Sequence, residues 1–203
     1  MQPQFVSLIH GVRRLHRLRP YTRWMDDFRD YLIGKGVASV SCFCWNGAIV
    51  RGFAGIDASR YADDLLRNYR CARDAGGSLS IVSKSAGGLI AEKALHLLNG
   101  DVRIDLFLRI GVPDVRAKVP IDNVDRVANV TSLRDKLFRF GKLAAPYFVN
   151  KRIVGADIPT VNIELRTLTH RALSECTCLS EEGIADPTTY DLYWRLLNDN
   201  PSS

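Results

Sequence analysis

Short runs rich in β-branched and aromatic residues recur along this chain, and helix-length amphipathic segments separate them. Residues 4–9, 37–45, 78–83, 102–110, 126–132 and 160–168 read as strands. Between them, 21–33 opens at Pro20, places Trp24, Phe28, Tyr31 and Leu32 on one face, and stops at Gly34. A second helical pattern covers 59–75 and closes at Gly76-Gly77, and a third runs from Ala86 to Asn99-Gly100. The tail 187–198 reads as a closing helix with Asp186 as its cap and Pro187 at its first position. Strands separated by helix-length crossovers predict βαβ units. The fold class expected is therefore α/β, with a mostly parallel sheet of about six strands flanked by helices. Residues 37–45 are apolar enough to predict burial on both faces. The alternation of Arg103, Asp105 and Arg109 in 102–110 fits such a sheet imperfectly.

A length of 203 residues suits one domain over 1–203, and 46% apolar with 25% charged residues excludes a disordered chain. The charge balance, 28 − 22 = +6, is moderately basic. It falls short of the dense positive face of a nucleic-acid binder, so no nucleic-acid partner is expected. No apolar run nears the ~20 residues of a membrane-spanning helix. The amino terminus is too short and lightly charged for a secretory leader, so a cytoplasmic location is expected unless a leader has been removed. Of five cysteines, two pairs, Cys42/Cys44 and Cys176/Cys178, are spaced Cys-x-Cys. Structural zinc sites usually space their thiolates two to four residues apart, and Cys42 and Cys44 lie in an apolar run. No metal site is expected.

The chemistry concentrates where residues 78–83 run into the helix at Ala86. Ser85 stands on that turn, with Ser83 two residues before it and Gly87 and Gly88 just after. A serine on a tight strand-to-helix turn takes up strained backbone, and bulky neighbours at 83 or 87 would clash. The usual pattern is G-x-S-x-G, and Ser83 replaces its first glycine. The amide of Ala86, opening the helix, would face a developing oxyanion and gain from the helix dipole. A plain βα turn would need the same glycines for close packing. A phosphate-binding loop is disfavoured, because neither G-x-G-x-x-G after a strand nor G-x-x-x-x-G-K-[ST] occurs.

Three other strand ends contribute. His10-Gly11 follows the first strand, and a glycine there would turn the amide of Val12 toward the same pocket, with His10, Gly11 and Lys84 along its lining. Asp135 lies just past one strand and His170 just past the last. In a parallel sheet these carboxyl ends share one edge, where open α/β folds build their sites. Their chain order is Ser, Asp, His. On these residues, and on Gly111-Val112-Pro113 after the next strand, the chain resembles an α/β-hydrolase. It looks like a minimal lipase- or esterase-like member beginning at the family's third strand, from Phe5 to about His170 plus the closing helix. The resemblance implies Ser85 as nucleophile, His170 as general base, Asp135 as orienting acid, and the amides of Val12 and Ala86 as oxyanion hole, with no cofactor. Ser83 and Lys84 depart from the family's pattern. Neutral imidazole suits the base role, since its unperturbed pKa is about 6.5.

Asp114, after Gly111-Val112-Pro113, is the alternative acid. His16 lies in an arginine-rich loop and His96 in mid-helix among leucines. Arg13, Arg14, Arg17, Arg19 and Arg23 form either a solvated loop or a weak attraction for anionic lipid surfaces. The aromatic and basic segment 137–153 either walls the acyl site or packs the back of the sheet. Few residues separate Gly111 from Arg126, which predicts an open site without a large lid. The expected substrate is a small-molecule ester or lipid. A thioesterase, an acyltransferase, or a silent module of the same fold using the basic stripe for contact are the alternatives.

Overall fold

The computed structural model describes residues 2–11, 23–45, 53–112, 122–135 and 158–199. Within them six strands form one sheet: β1 (Gln4–Ile9), β2 (Ser39–Phe43), β3 (Ser78–Lys84), β4 (Phe107–Ile110), β5 (Val127–Ser132) and β6 (Thr160–Leu165). Every pairing is parallel, in the order β2-β1-β3-β4-β5-β6. The helices are α1 (Arg23–Gly34), α2 (Phe53–Asp74), α3 (Ala86–Leu98) and α4 (Thr189–Asn198).

The chain steps from β1 out to β2 and then returns past β1 to β3. The two crossovers therefore cover opposite faces. On one face α1 and α4 press Phe28, Leu32, Tyr193 and Leu196 against Leu8, Val82, Leu108 and Val130. On the other, α2 and α3 press Tyr61, Leu65, Ala91 and Leu95 against Ile9, Leu79, Ile81 and Phe107. Alternation along β3 sends Ile81 to the second layer and Val82 to the first, as a two-residue period requires. Burying each such side chain stabilises the fold by about 1.5–3 kcal/mol. The reversal of direction leaves a crevice between the carboxyl ends of β1 and β3, the place where open α/β sheets hold ligands.

Several elements differ from the sequence reading. β2 is an edge strand in which only Phe43 is buried, so 37–45 is not covered on both faces. α2 starts at Phe53, ahead of residue 59. Of 102–110 only Phe107–Ile110 is strand, with Ile104 making an isolated bridge to Val124. The odd-numbered charges separate by depth. Arg103 pairs with Asp125 at the surface at 2.6 Å. Arg109 is buried, with Nη2 2.5 Å from Glu92 Oε1 and Nη1 donating to Asn129 Oδ1 at 2.9 Å. β6 ends at Leu165 rather than 168.

The cap of α4 is Thr188, whose Oγ1 accepts the amide of Asp191 at 3.2 Å. Asp186 instead holds Arg195 through both carboxylate oxygens. Asp191 also accepts from Tyr31 Oη of α1 at 2.6 Å, which ties the two helices of that layer together. Thr188→Ala is expected to lower the unfolding free energy by about 1 kcal/mol, read from the midpoint of a urea titration at unchanged m.

Candidate active site

Ser85 joins β3 to α3 with φ 51° and ψ −131°. A non-glycine residue held there costs about 1–3 kcal/mol, sustained only because its surroundings dictate it. On the strand side, the Ser85 amide donates to Ile110 O at 2.9 Å. On the helix side, the glycines let α3 come close. A Cβ on Gly87 would stand 2.3 Å from His10 O, and one on Gly88 would stand 2.5 Å from the Val112 methyls. Ser85 occupies the N-cap position, yet its side chain makes no capping hydrogen bond, which leaves the hydroxyl uncommitted to the helix. The amide of Ala86 opens the first turn and has no intrahelical acceptor, whereas that of Gly88 already donates to Ser85 O at 3.0 Å.

The end of β1 forms the opposite wall of the crevice. A Cβ on Gly11 would lie 2.8 Å from Ser85 Cβ and 3.4 Å from Ser85 Oγ, so only a glycine fits this close beside the hydroxyl. His10 is buried and holds this turn. Its Nδ1 donates to Gly11 O at 2.5 Å, while its Nε2 accepts the Trp45 amide at 3.3 Å. Trp45 stacks on the imidazole and donates Nε1–H to His10 O at 2.6 Å. Accepting at one ring nitrogen and donating at the other fixes a neutral tautomer.

Asp135 and His170 come from β5 and from the segment after β6. Beyond β5, Ser132 Oγ donates to Leu168 O and accepts the amide of Arg134 at 3.2 Å, joining the two segments. The Asp135 carboxylate is fully buried, and its Oδ2 lies 2.5 Å from His170 Nδ1. Nδ1 therefore donates to the carboxylate, and Nε2 is the ring nitrogen that Asp135 does not engage. The imidazole rests on Gly111, where φ is +56° and a Cβ would stand 3.2 Å from both Cε1 and Nδ1. Gly111 directly follows Ile110, the residue that accepts the Ser85 amide, so the hydroxyl and the imidazole flank one turn. Among the described residues no hydrogen bond joins Ser85 Oγ to His170.

No protein-family model matches the chain, and no curated protein matches it in sequence. Solved structures do. The esterase of Pyrobaculum calidifontis superposes with a TM-score of 0.59 at 14% identity, over 85% of this chain and 70% of that one. A thermophilic, thermostable carboxylesterase cloned from a metagenomic library gives 0.56 at 14% identity, over 85% and 73%. An α/β-hydrolase enzyme from a Medee basin deep-sea metagenome library gives 0.52 at 18% identity, over 95% and 83%. This chain has the α/β-hydrolase fold.

On this fold, the described residues bring Ser85, Gly11, Ala86, Asp135 and His170 to one edge of the sheet. Val12, Asp114, His16, the arginines from 13 to 19 and the segment 137–153 lie outside the described residues. Arg23 is exposed on α1 and 3.9 Å from Asp27. His96 is half-buried on α3. Lys84, expected along the pocket, is buried with its Nζ on Ser174 Oγ. The five cysteines are free, and among the described residues no three His, Cys, Asp or Glu side chains group to hold a metal. No helix among them is long and apolar enough to cross a membrane. Sequence reasoning missed Trp45, Ser132 and Ser174. Only Trp45, ending an apolar run, carried any signal, since an isolated serine has no periodicity to reveal it.

The strain at residue 85 is measurable. Ser85→Gly, which accepts positive φ freely, is expected to raise unfolding stability by about 1 kcal/mol in chemical denaturation.

Proposed function

We propose that this chain is a serine hydrolase that cleaves carboxylic esters through Ser85, His170 and Asp135, without a cofactor. The observation that carries the reading is the 2.5 Å bond between His170 Nδ1 and the buried Asp135 carboxylate. It is made beside the Gly111 turn that Ser85 adjoins. The fold shared with esterases of known structure supports it as well.

In this reading Ser85 Oγ attacks the ester carbonyl as His170 Nε2 takes its proton. The Asp135 carboxylate fixes the tautomer and stabilises the imidazolium without accepting a proton. Negative charge on the carbonyl oxygen is met by the Ala86 amide, with the Val12 amide as the second donor. Collapse expels the alcohol, which takes its proton from His170, and water activated by the same imidazole then releases the acid. The Ser85–His170 bond forms with substrate bound, because catalytic hydrogen bonds often tighten only in the Michaelis complex.

Ser85→Ala and His170→Ala are expected to abolish p-nitrophenyl ester hydrolysis with the fold intact, and a fluorophosphonate is expected to label Ser85. Ester turnover at the parental rate in Ser85→Ala defeats the proposal. Absence of labelling in the parent favours a catalytically silent module. Asp135→Asn should lower kcat by about 10⁴-fold through the wrong imidazole tautomer. Asp114→Asn is the paired comparison, and the collapse in turnover belongs to whichever residue is the acid.

A further inference from the structure

We infer that Lys84 is a positioning residue for the proposed reaction: through Ser174 its ammonium holds the turn that sets His170 against Asp135. The inference rests on the serine-hydrolase reading of the site and adds to it a residue from the strand immediately before the nucleophile.

Lys84 ends β3 next to Ser85, and its side chain runs toward the α1/α4 layer, where it is 4% exposed. Lysine is almost never fully buried without partners, because removing an ammonium from water is costly. Here Nζ donates to Ser174 Oγ, and Ser174 is itself completely buried. The Ser174 hydroxyl passes the contact on by donating to Arg171 O at 2.9 Å. The amides of Leu173 and Ser174 donate to Thr169 O at 3.1 Å and to Arg171 O at 3.0 Å. These bonds close residues 169–174 around His170. From α4, Tyr193 Oη donates to Leu173 O, and Tyr190 Oη to Ser174 O at 3.4 Å. The turn is thus gripped by phenols on one side and by an ammonium from beneath the nucleophile on the other. The elbow and the imidazole, brought together from distant parts of the chain, are braced through one chain of hydrogen bonds.

The charged groups facing Lys84 are Glu175 and Asp135, which favour its ammonium, and Arg171, which opposes it. Burial outweighs them and pulls its pKa down to about 8. Two consequences have opposite signs. Between pH 8 and the ordinary lysine range the unfolded chain holds a proton that the folded chain lacks, so this residue's contribution to stability rises with pH there. Over the same interval the charge-assisted bond to Ser174 weakens, so turnover falls. A lysine retained only for folding would not combine a stability cost at neutral pH with a contribution to rate.

The experiment compares kcat against pH for the parent, Lys84→Met, Ser174→Ala and the double variant, with thermal unfolding of each. Lys93→Met, an exposed lysine of α3, serves as control. The parent is expected to lose rate above about pH 8. Lys84→Met should lose that alkaline limb and turn over about 10- to 100-fold more slowly at pH 7, as a displaced catalytic group does, while melting no lower than the parent. Ser174→Ala should slow the reaction comparably, and the double variant should be little slower than either single one, because both break the same link. If Lys84→Met does not fold, Ser174→Ala decides by rate and melting. An active parent whose Lys84→Met variant keeps the parental kcat and pH profile, or slows only as its fold is lost, overturns this inference alone. A parent that neither hydrolyses esters nor takes fluorophosphonate overturns the serine-hydrolase reading and this inference with it.

Discussion

The close approach of α3 to the end of β1 sets the geometry of everything around it. The first turn of the helix stands where a single added carbon at Gly87 would be 2.3 Å from the carbonyl of His10. That carbonyl is not free to retreat, since it accepts the Trp45 indole N–H at 2.6 Å. With the helix pinned on one side and the Ser85 amide committed to Ile110 on the other, the chain must reverse within one residue. The backbone at Ser85 then has no relaxed option, and the hydroxyl is thrust into the crevice between β1 and β3. Strain of about 1–3 kcal/mol is tolerable because the layers on both faces of the sheet oppose any relaxation.

The same edge of the sheet gathers several buried polar side chains. Asp135, Lys84, Ser132, Ser174 and His10 are all buried, and each has a hydrogen-bonding partner. Buried groups of this kind are costly unless satisfied, and once satisfied they are rigid. Rigidity is what an imidazole delivered by an irregular segment requires. β6 stops at Leu165, and His170 lies in an irregular segment between that strand and the short 3-10 turn Ala172–Ser174, rather than at a strand end. A fixed scaffold therefore has to be supplied by side chains. The bonds from Ser132 to Leu168 and from Lys84 to Ser174 are two such supports. Elsewhere the sheet deals with its charges differently. Arg109 is sunk among Glu92 and Asn129 on the α3 face, while Arg103, ahead of the strand, stays in water.

Much of the framework was readable from periodicity alone. Six strand segments and four helical ones were placed in the right order, with the starts of α2 and β4 the furthest off, because alternation and the 3.6-residue repeat report which faces are covered. Where that reading failed, a tertiary fact intervened. The run 37–45 is apolar, yet β2 is an edge strand, and strand order is not written in any one segment. The cap of α4 fell to Thr188 because Asp186 was drawn to Arg195, a choice that depends on where the helix C-terminal half places its guanidinium. In the candidate site, Ser85, Asp135 and His170 were visible as polar residues at strand ends. Ser174 and Ser132 were not, since their importance lies wholly in which distant carbonyls and amines they reach.

The linear order of residues by itself determined an α/β chain of parallel strands, with a small-residue turn around Ser85 and acid and imidazole downstream, because local stereochemistry and side-chain periodicity act over a few residues. Only the folded arrangement decided that Lys84 would be buried under the His170 turn, that His10 would lock the β1 end against Trp45, and that the Asp135 carboxylate would meet Nδ1. Those outcomes depend on distances between segments tens of residues apart. Such distances are set by how two layers of helices close over the sheet, and no local pattern encodes them.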